Sequence, residues 1–325
     1  MKMYRVFFLI FASLSWCYMS NKFINWGIFV LLCFIWGSSF ILMKESLKGL
    51  TVLQIASLRI FVAGLVFSPF AIFHISKIPR KKMGLVLLAG LFGNLLPAFC
   101  FVAAINKIDS SLASILNSLT PICVAGIALS FFKDKIKTQK IIGIVAGFAG
   151  LCLLTLYQKT ISLDNSGYAL LAVAATLMYG VNVNVVGHYL KDIKPIHLST
   201  VSLALMAIPS AVVLWQQGFF QSDFTESRVQ WAILNSTLLG LTASAFATVI
   251  FYMLVLRAGG LFASLVTYCI PFVALFWGFL DGEKITVIEI VSLCIILFGV
   301  YIANRPEKKE SEAIAPPDEL DFEKS

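Results

Sequence analysis

Charge is scarce in this sequence. Lysine, arginine, aspartate and glutamate make up 13% of its 325 residues, and apolar residues make up 59%. An ordinary soluble domain carries about a quarter charged residues, so the shortage excludes a water-soluble globule and fits a chain whose solvent is mostly lipid. Paired cysteines are also missing. The seven cysteines all lie in apolar runs, with no CxxC and no histidine at ligand spacing. Neither a disulfide framework nor a zinc site is expected, and no cofactor. No acid falls in the middle of an apolar run; Glu289, near the start of the last one, comes closest. The net charge of +8 points at first to nucleic acid. The basic residues, however, sit in short clusters between apolar runs and form no basic face, which argues against such a partner.

What the sequence has in abundance is long apolar runs. Ten stretches approach the about 20 residues that cross a bilayer: 26–43, 51–74, 84–105, 110–132, 141–157, 167–187, 196–215, 231–256, 260–280 and 285–303. A bilayer core offers no partner to a bare backbone group, so such runs must be helices or strands of a closed barrel. Barrel strands are about ten residues long and alternate; these runs do neither. The expected fold class is an all-α integral membrane protein with ten transmembrane helices.

Basic residues fix the orientation. With the N-terminus inside, eighteen of the 25 lysines and arginines fall on the inner side, six on the outer side, and Arg59 lies within a span. Both termini are therefore expected in the cytoplasm and the chain in the cell (inner) membrane. Residues 1–24 form a lead whose apolar stretch from Val6 to Met19 is only 14 residues long. It reads either as a signal-like or interfacial segment or as untranslated sequence before a start at Met19. The acidic stretch 304–325, with its Pro-Pro, reads as a disordered cytoplasmic tail.

The chain also repeats itself. Residues 111–138 and 261–286 each carry Ala-Ser, a proline seven residues after that serine, an apolar run and an acidic-Lys-Ile triplet. Gly90 pairs with Gly240, Phe101 with Phe251, Ala113-Ser114 with Ala263-Ser264, Pro121 with Pro271, Asp134 with Glu283 and Gly150 with Gly299. Trp36-Gly37 pairs with Tyr179-Gly180 at a slightly shorter offset, which sets Arg59 against Ser202. The repeating unit holds five spans, an odd number, so the second copy crosses the membrane in the opposite sense. Residues 25–157 and 158–303 are thus expected as two inverted five-helix repeats, an arrangement characteristic of secondary transporters.

These residues carry a family resemblance. WGSSF at 36–40, SLRIF at 57–61, the ASxxxxxxP segments at 113–121 and 263–271, and GEKIT at 282–286 resemble the EamA-type transporters of the drug/metabolite transporter superfamily. The resemblance implies a ten-helix inner-membrane carrier with a central cavity lined by the first four helices of each half. It also implies export of small metabolites, often amino acids or related compounds. Where that family often has Gly-Glu after the fourth span, this chain has Lys133-Asp134.

The repeated helices also hold the best candidates for solute contact. Ser114, Asn117, Ser118 and Pro121 share one helical face, and their counterparts are Ser264, Thr267, Tyr268 and Pro271. Hydrogen bonds between helices would explain such a face; so would a cavity. Asn94, with Ser244 as its counterpart, Thr248 and Tyr252 are candidates for the same space, and Trp36, Tyr179, Asn182 and Asn184 for aromatic walls and amide contacts. Arg59 has two readings: attraction of a solute carboxylate, or bonds to backbone carbonyls. Gly143 and Gly147 form a GxxxG that permits close helix approach, within the chain or in a homodimer.

Other functional classes have little to rest on. His188 and Asp192 form HxxxD, one residue short of an acyltransferase spacing, and no His-Glu-x-x-His, serine triad or P-loop occurs. A membrane enzyme is therefore not expected, and a receptor or scaffold is the alternative to a carrier.

Overall fold

The computed structural model describes residues 22–108, 110–157, 166–280 and 286–304. The expectations for the N-terminal lead, for most of the GEKIT segment and for the acidic tail lie outside the described residues.

Over their described residues all ten apolar runs are largely helical, and no strand occurs among the described residues. In chain order the helices are α1 (Lys22–Ser46), α2 (Val52–Ile75), α3 (Arg80–Ile105), α4 (Ser110–Asn117), α5 (Thr120–Phe131), α6 (Thr138–Tyr157), α7 (Ser166–Tyr189), α8 (Pro195–Gln216), α9 (Ser227–Ala258), α10 (Gly260–Ser264), α11 (Ile270–Leu280) and α12 (Val287–Asn304). Six of them (α1, α2, α3, α7, α8 and α9) are long and apolar enough to cross a membrane. Four shorter apolar stretches, Thr120–Phe131, Thr138–Leu153, Gly260–Val273 and Val287–Ala303, accompany them. The outer surface carries large apolar side chains that are mostly exposed, among them Phe23, Ile72, Phe73, Leu170, Trp215 and Phe298. Such a surface belongs against lipid.

Helix ends are capped from the sequence itself. Thr51 and Gln54 form a reciprocal capping box at the start of α2. At the start of α12 the Glu289 carboxylate accepts from the Thr286 backbone N–H at 2.7 Å and from its hydroxyl at 2.9 Å. The acid closest to the membrane interior is thus a helix cap, where it satisfies an otherwise open amide.

Among the described residues, the apolar runs depart from regular α-helix at four places, and these come in matched pairs. A π turn interrupts α3 at Leu91–Leu95 and α9 at Gly240–Phe246, which correspond in the repeat. The other pair follows from the matched prolines. A proline has no N–H for the carbonyl four residues before it, so Pro121 frees the carbonyl of Asn117 and Pro271 that of Thr267. In a membrane a freed carbonyl must find another donor. The Thr120 hydroxyl donates to the Asn117 carbonyl at 2.6 Å, and the Ser118 hydroxyl donates to the Thr267 carbonyl at 2.9 Å. The helix accordingly breaks between α4 and α5, and narrows to a 3-10 turn at Leu265–Cys269 between α10 and α11.

The two most extensive helix pairs are α2 with α8 and α6 with α12. In the second, Gly143 lies so close to Gly299 that a Cβ there would come within 2.6 Å of the Gly299 carbonyl oxygen. This end of the GxxxG face therefore packs within the chain. Around the first pair, a Cβ on Gly90 would come within 2.9 Å of the Ser202 carbonyl oxygen, and one on Gly240 within 2.6 Å of the Arg59 carbonyl oxygen. The repeat pairs Gly90 with Gly240 and Arg59 with Ser202, so each contact is the image of the other. Reciprocal contacts of this kind are how parts related by a twofold axis meet.

Candidate functional site

The matched irregularities converge on a small internal cavity of about 80 Å³. Of the candidates for solute contact, eleven line it: Trp36, Arg59, Asn94, Asn117, Tyr179, Asn182, Ser244, Thr248, Tyr252, Ser264 and Thr267. Both halves contribute. Asn94 and Ser244 sit inside the matched π turns, and Asn117 and Thr267 at the matched breaks. A π turn widens the helix by one residue and often marks a functional site.

Polar groups around the cavity are largely tied to one another. The Trp36 indole N–H donates to the Ala243 carbonyl, in the α9 π turn, at 3.1 Å. Arg59 donates from Nε and Nη2 to the Ser244 hydroxyl oxygen at 3.2 and 3.1 Å, and its Nη1 lies 3.6 Å from the Met43 sulfur. The Thr248 hydroxyl donates to Asn94 Oδ1 at 2.9 Å, and the Tyr252 hydroxyl to Asn182 Oδ1 at 3.3 Å. The Thr267 hydroxyl bonds back to the Ser264 carbonyl at 2.9 Å. Asn94 Nδ2 is buried and makes no well-formed hydrogen bond. Phe40, Phe101 and Phe251 complete the walls, with the Phe251 ring edge-on to Trp36 and Phe101 stacked on Tyr179.

Ser114, Ser118 and Tyr268 are buried but do not line the cavity. Ser118 serves the Thr267 carbonyl, and the Tyr268 hydroxyl donates to the Ile144 carbonyl of α6 at 2.8 Å. Asn184 turns away as well, donating to the Val124 and Gly180 carbonyls at 3.0 and 2.9 Å. Sequence reasoning missed Ser39, Met43, Gly93, Thr120 and Ala243 as lining residues. Thr120 carried a legible signal, being the hydroxyl directly before Pro121. Ser39 carried a hydroxyl within WGSSF but no counterpart in the repeat to single it out, and Met43, Gly93 and Ala243 have no polarity to mark them.

A wider vestibule of about 930 Å³ opens at the lysine-rich end, lined among others by Lys22, Lys135, Lys140, Lys191, Asp134 and His188. Val183 borders both spaces. His188 Nε2 lies 3.1 Å from both Asp134 oxygens, Nδ1 lies 2.9 Å from the Asn184 carbonyl, and the ring stacks on Phe132. Asp192 pairs instead with Lys82, whose ammonium holds that carboxyl below its usual range. The two members of HxxxD therefore serve different partners. Among the described residues no cluster of three or more metal-ligating side chains occurs.

The EamA-like transporter family matches this chain twice, over residues 25–156 and 166–305. An uncharacterized transporter of Archaeoglobus fulgidus is 25% identical over 284 residues, 86% of this chain and 99% of that protein. A WAT1-related chloroplastic protein of Arabidopsis thaliana is 27% identical over 303 residues, 88% of this chain and 71% of its own. The uncharacterized transporter YoaV of Bacillus subtilis is 25% identical over 279 residues, 82% of this chain and 92% of its own. A solved crystal structure shares the fold, with a TM-score of 0.67 and 14% identity over 87% of this chain and 98% of that one. Two matches that together span nearly the whole described length, on an all-helical fold with a lipid-facing surface, place this chain in the EamA-like transporter family as a membrane transporter.

Proposed function

We propose that the chain is a secondary transporter that exports or exchanges small metabolites, amino-acid-like or related compounds, through the cavity between two inverted five-helix halves. The observation that carries this reading is the convergence of matched residues from residues 25–157 and 158–303 on one space: Asn94 with Ser244, Asn117 with Thr267, and Trp36 with Tyr179. Inverted halves can exchange conformations and so present a central site to either side of the membrane in turn. The reciprocal Gly90 and Gly240 contacts support the pseudo-twofold axis this requires.

The lysine-rich end is read as cytoplasmic by the positive-inside rule, so the wide vestibule faces the supply of an exported solute. A cavity of about 80 Å³ is well below the roughly 300–1,000 Å³ of sites that hold small molecules. In this conformation the halves have closed around the site, and loading requires them to move apart. No carboxylate lines the cavity among the described residues, and Glu289 is occupied as a helix cap. Facilitated diffusion or exchange fits this equipment better than proton symport on a buried acid.

Purified protein in proteoliposomes loaded with an amino-acid and metabolite mixture tests the reading. Efflux of one or a few solutes, chemically unchanged and faster than from protein-free vesicles, is the expected result. Retention of every solute, or release only of altered products, would count against it.

A further inference from the structure

We infer that the transported solute carries a single carboxylate, which binds between Arg59 and Asn94. The inference rests on the reading of the central cavity as the transport site and adds the charge of what occupies it. A cation inside a membrane span normally has a paired acid or a ring of backbone carbonyls. The Arg59 guanidinium has neither among its described hydrogen-bond partners, which are one hydroxyl and a thioether sulfur. Guanidinium has five N–H donors, so donors remain for a ligand.

A second, independent observation lies beside it. Asn94 is 7% exposed, lines the same cavity near the Tyr252 hydroxyl, and its Nδ2 makes no well-formed hydrogen bond. A buried donor left open is costly unless something completes it. The hydroxyls that hold these two side chains, Ser244 for Arg59 and Thr248 for Asn94, are four residues apart on α9, the first inside its π turn. Both side chains therefore line one cavity and are anchored to one helix.

Charge balance selects among anions. One cation with no acid around it among the described residues matches one negative charge; a phosphate ester, at about −1.5 to −2 near neutral pH, would leave charge uncompensated in a low-dielectric space. The repeat makes the site one-sided, because the counterpart of Arg59 is Ser202, whose hydroxyl is tied to the Ser199 carbonyl. The anionic end of the solute is thus directed to the α2 side of the cavity, and the remainder to the aromatic walls.

The test uses full-length protein in detergent and matched probes: acetate, isovalerate and L-leucine, each against its amide, with isopentyl phosphate as the phosphate ester. Carboxylates at millimolar concentration should raise the melting temperature and their amides should not, and Arg59→Gln should weaken the carboxylate response roughly ten- to hundredfold. Arg59→Lys should retain part of it. Should Arg59→Gln fail to fold, Asn94→Asp provides the second reading. It places a carboxylate in the cavity that Arg59 lines, so it should raise the melting temperature without any probe and abolish the carboxylate response. Amides acting as well as acids, isopentyl phosphate acting better, an absent carboxylate response, or a destabilised Asn94→Asp that still responds would each overturn the inference. Amide transport equal to carboxylate transport in proteoliposomes would remove the anion site and leave the transport reading standing. Carboxylate binding without any transport would do the reverse.

Discussion

Single residues in this fold are explained by which backbone group they serve. Lys133 is the one non-glycine residue at positive φ among the described residues, at 55°, and the following Asp134 N–H reaches back to the Ala128 carbonyl at 3.1 Å. Lys133 thus sits just past the C-cap Phe132 of α5, at the left-handed position that glycine normally holds. It accounts physically for the Gly-Glu expected there from the family resemblance, and Lys133 bears the strain instead. Lys133→Gly removes about 1–2 kcal/mol of left-handed strain and adds about 0.5–1 kcal/mol of chain entropy. A slightly raised melting temperature is expected, with transport unchanged, and thermal unfolding in detergent reads it. At the cavity, Asn117→Leu and Thr267→Val each remove a polar group from one half. A hydrogen bond to an uncharged group contributes about 0.5–1.5 kcal/mol, so solute affinity should fall roughly 2- to 13-fold in each while the protein stays folded. Early melting with unchanged affinity would assign both residues to packing.

At the scale of elements, the prolines and π turns shape the site more than helix periodicity does. The Ser118 hydroxyl and Thr267 carbonyl join the two halves at 2.9 Å. Ser118→Ala leaves that buried carbonyl without this donor, at a cost of about 1–3 kcal/mol. Pro271→Ala in the same chain restores an N–H four residues on and should recover most of the loss, a non-additivity that a double-mutant cycle in detergent measures. The helices themselves were legible in the sequence. Over their described residues all ten runs are largely helical, and their limits shift by only a few residues, as when 84–105 becomes Arg80–Ile105. Lipid enforces this, since an apolar run has no other way to satisfy its backbone. The π turns were not legible, because one extra residue in a turn leaves no mark on sequence: Asn94 within Leu91–Leu95 signals polarity but not helix pitch. The same limit explains Ser118 and Tyr268. Both fall on the polar face of an ideal helix, but the break at Pro121 and the 3-10 turn at Leu265–Cys269 rotate that face, and both side chains turn to neighbouring backbone.

For the whole molecule, the repeat in sequence becomes a repeat in geometry: paired π turns, paired proline breaks and reciprocal glycine contacts around one cavity. The proposed inverted topology predicts that cysteines replacing Lys82 and Lys137 are labelled by an impermeant reagent only from the cytoplasmic side. A cysteine replacing Asp223 should be labelled only from the other side. Labelling of positions 82 and 223 from the same face would end the five-plus-five arrangement. The central claim is that one cavity is presented to the two sides in turn, and it can be tested without knowing the solute. Ser39 lines the cavity and is 6% exposed, so Ser39→Cys in a cysteine-free background reports on access to it. With an impermeant maleimide applied to right-side-out and to inside-out vesicles, the account predicts slow labelling from both faces. Labelling from one face only, or from neither, would contradict it.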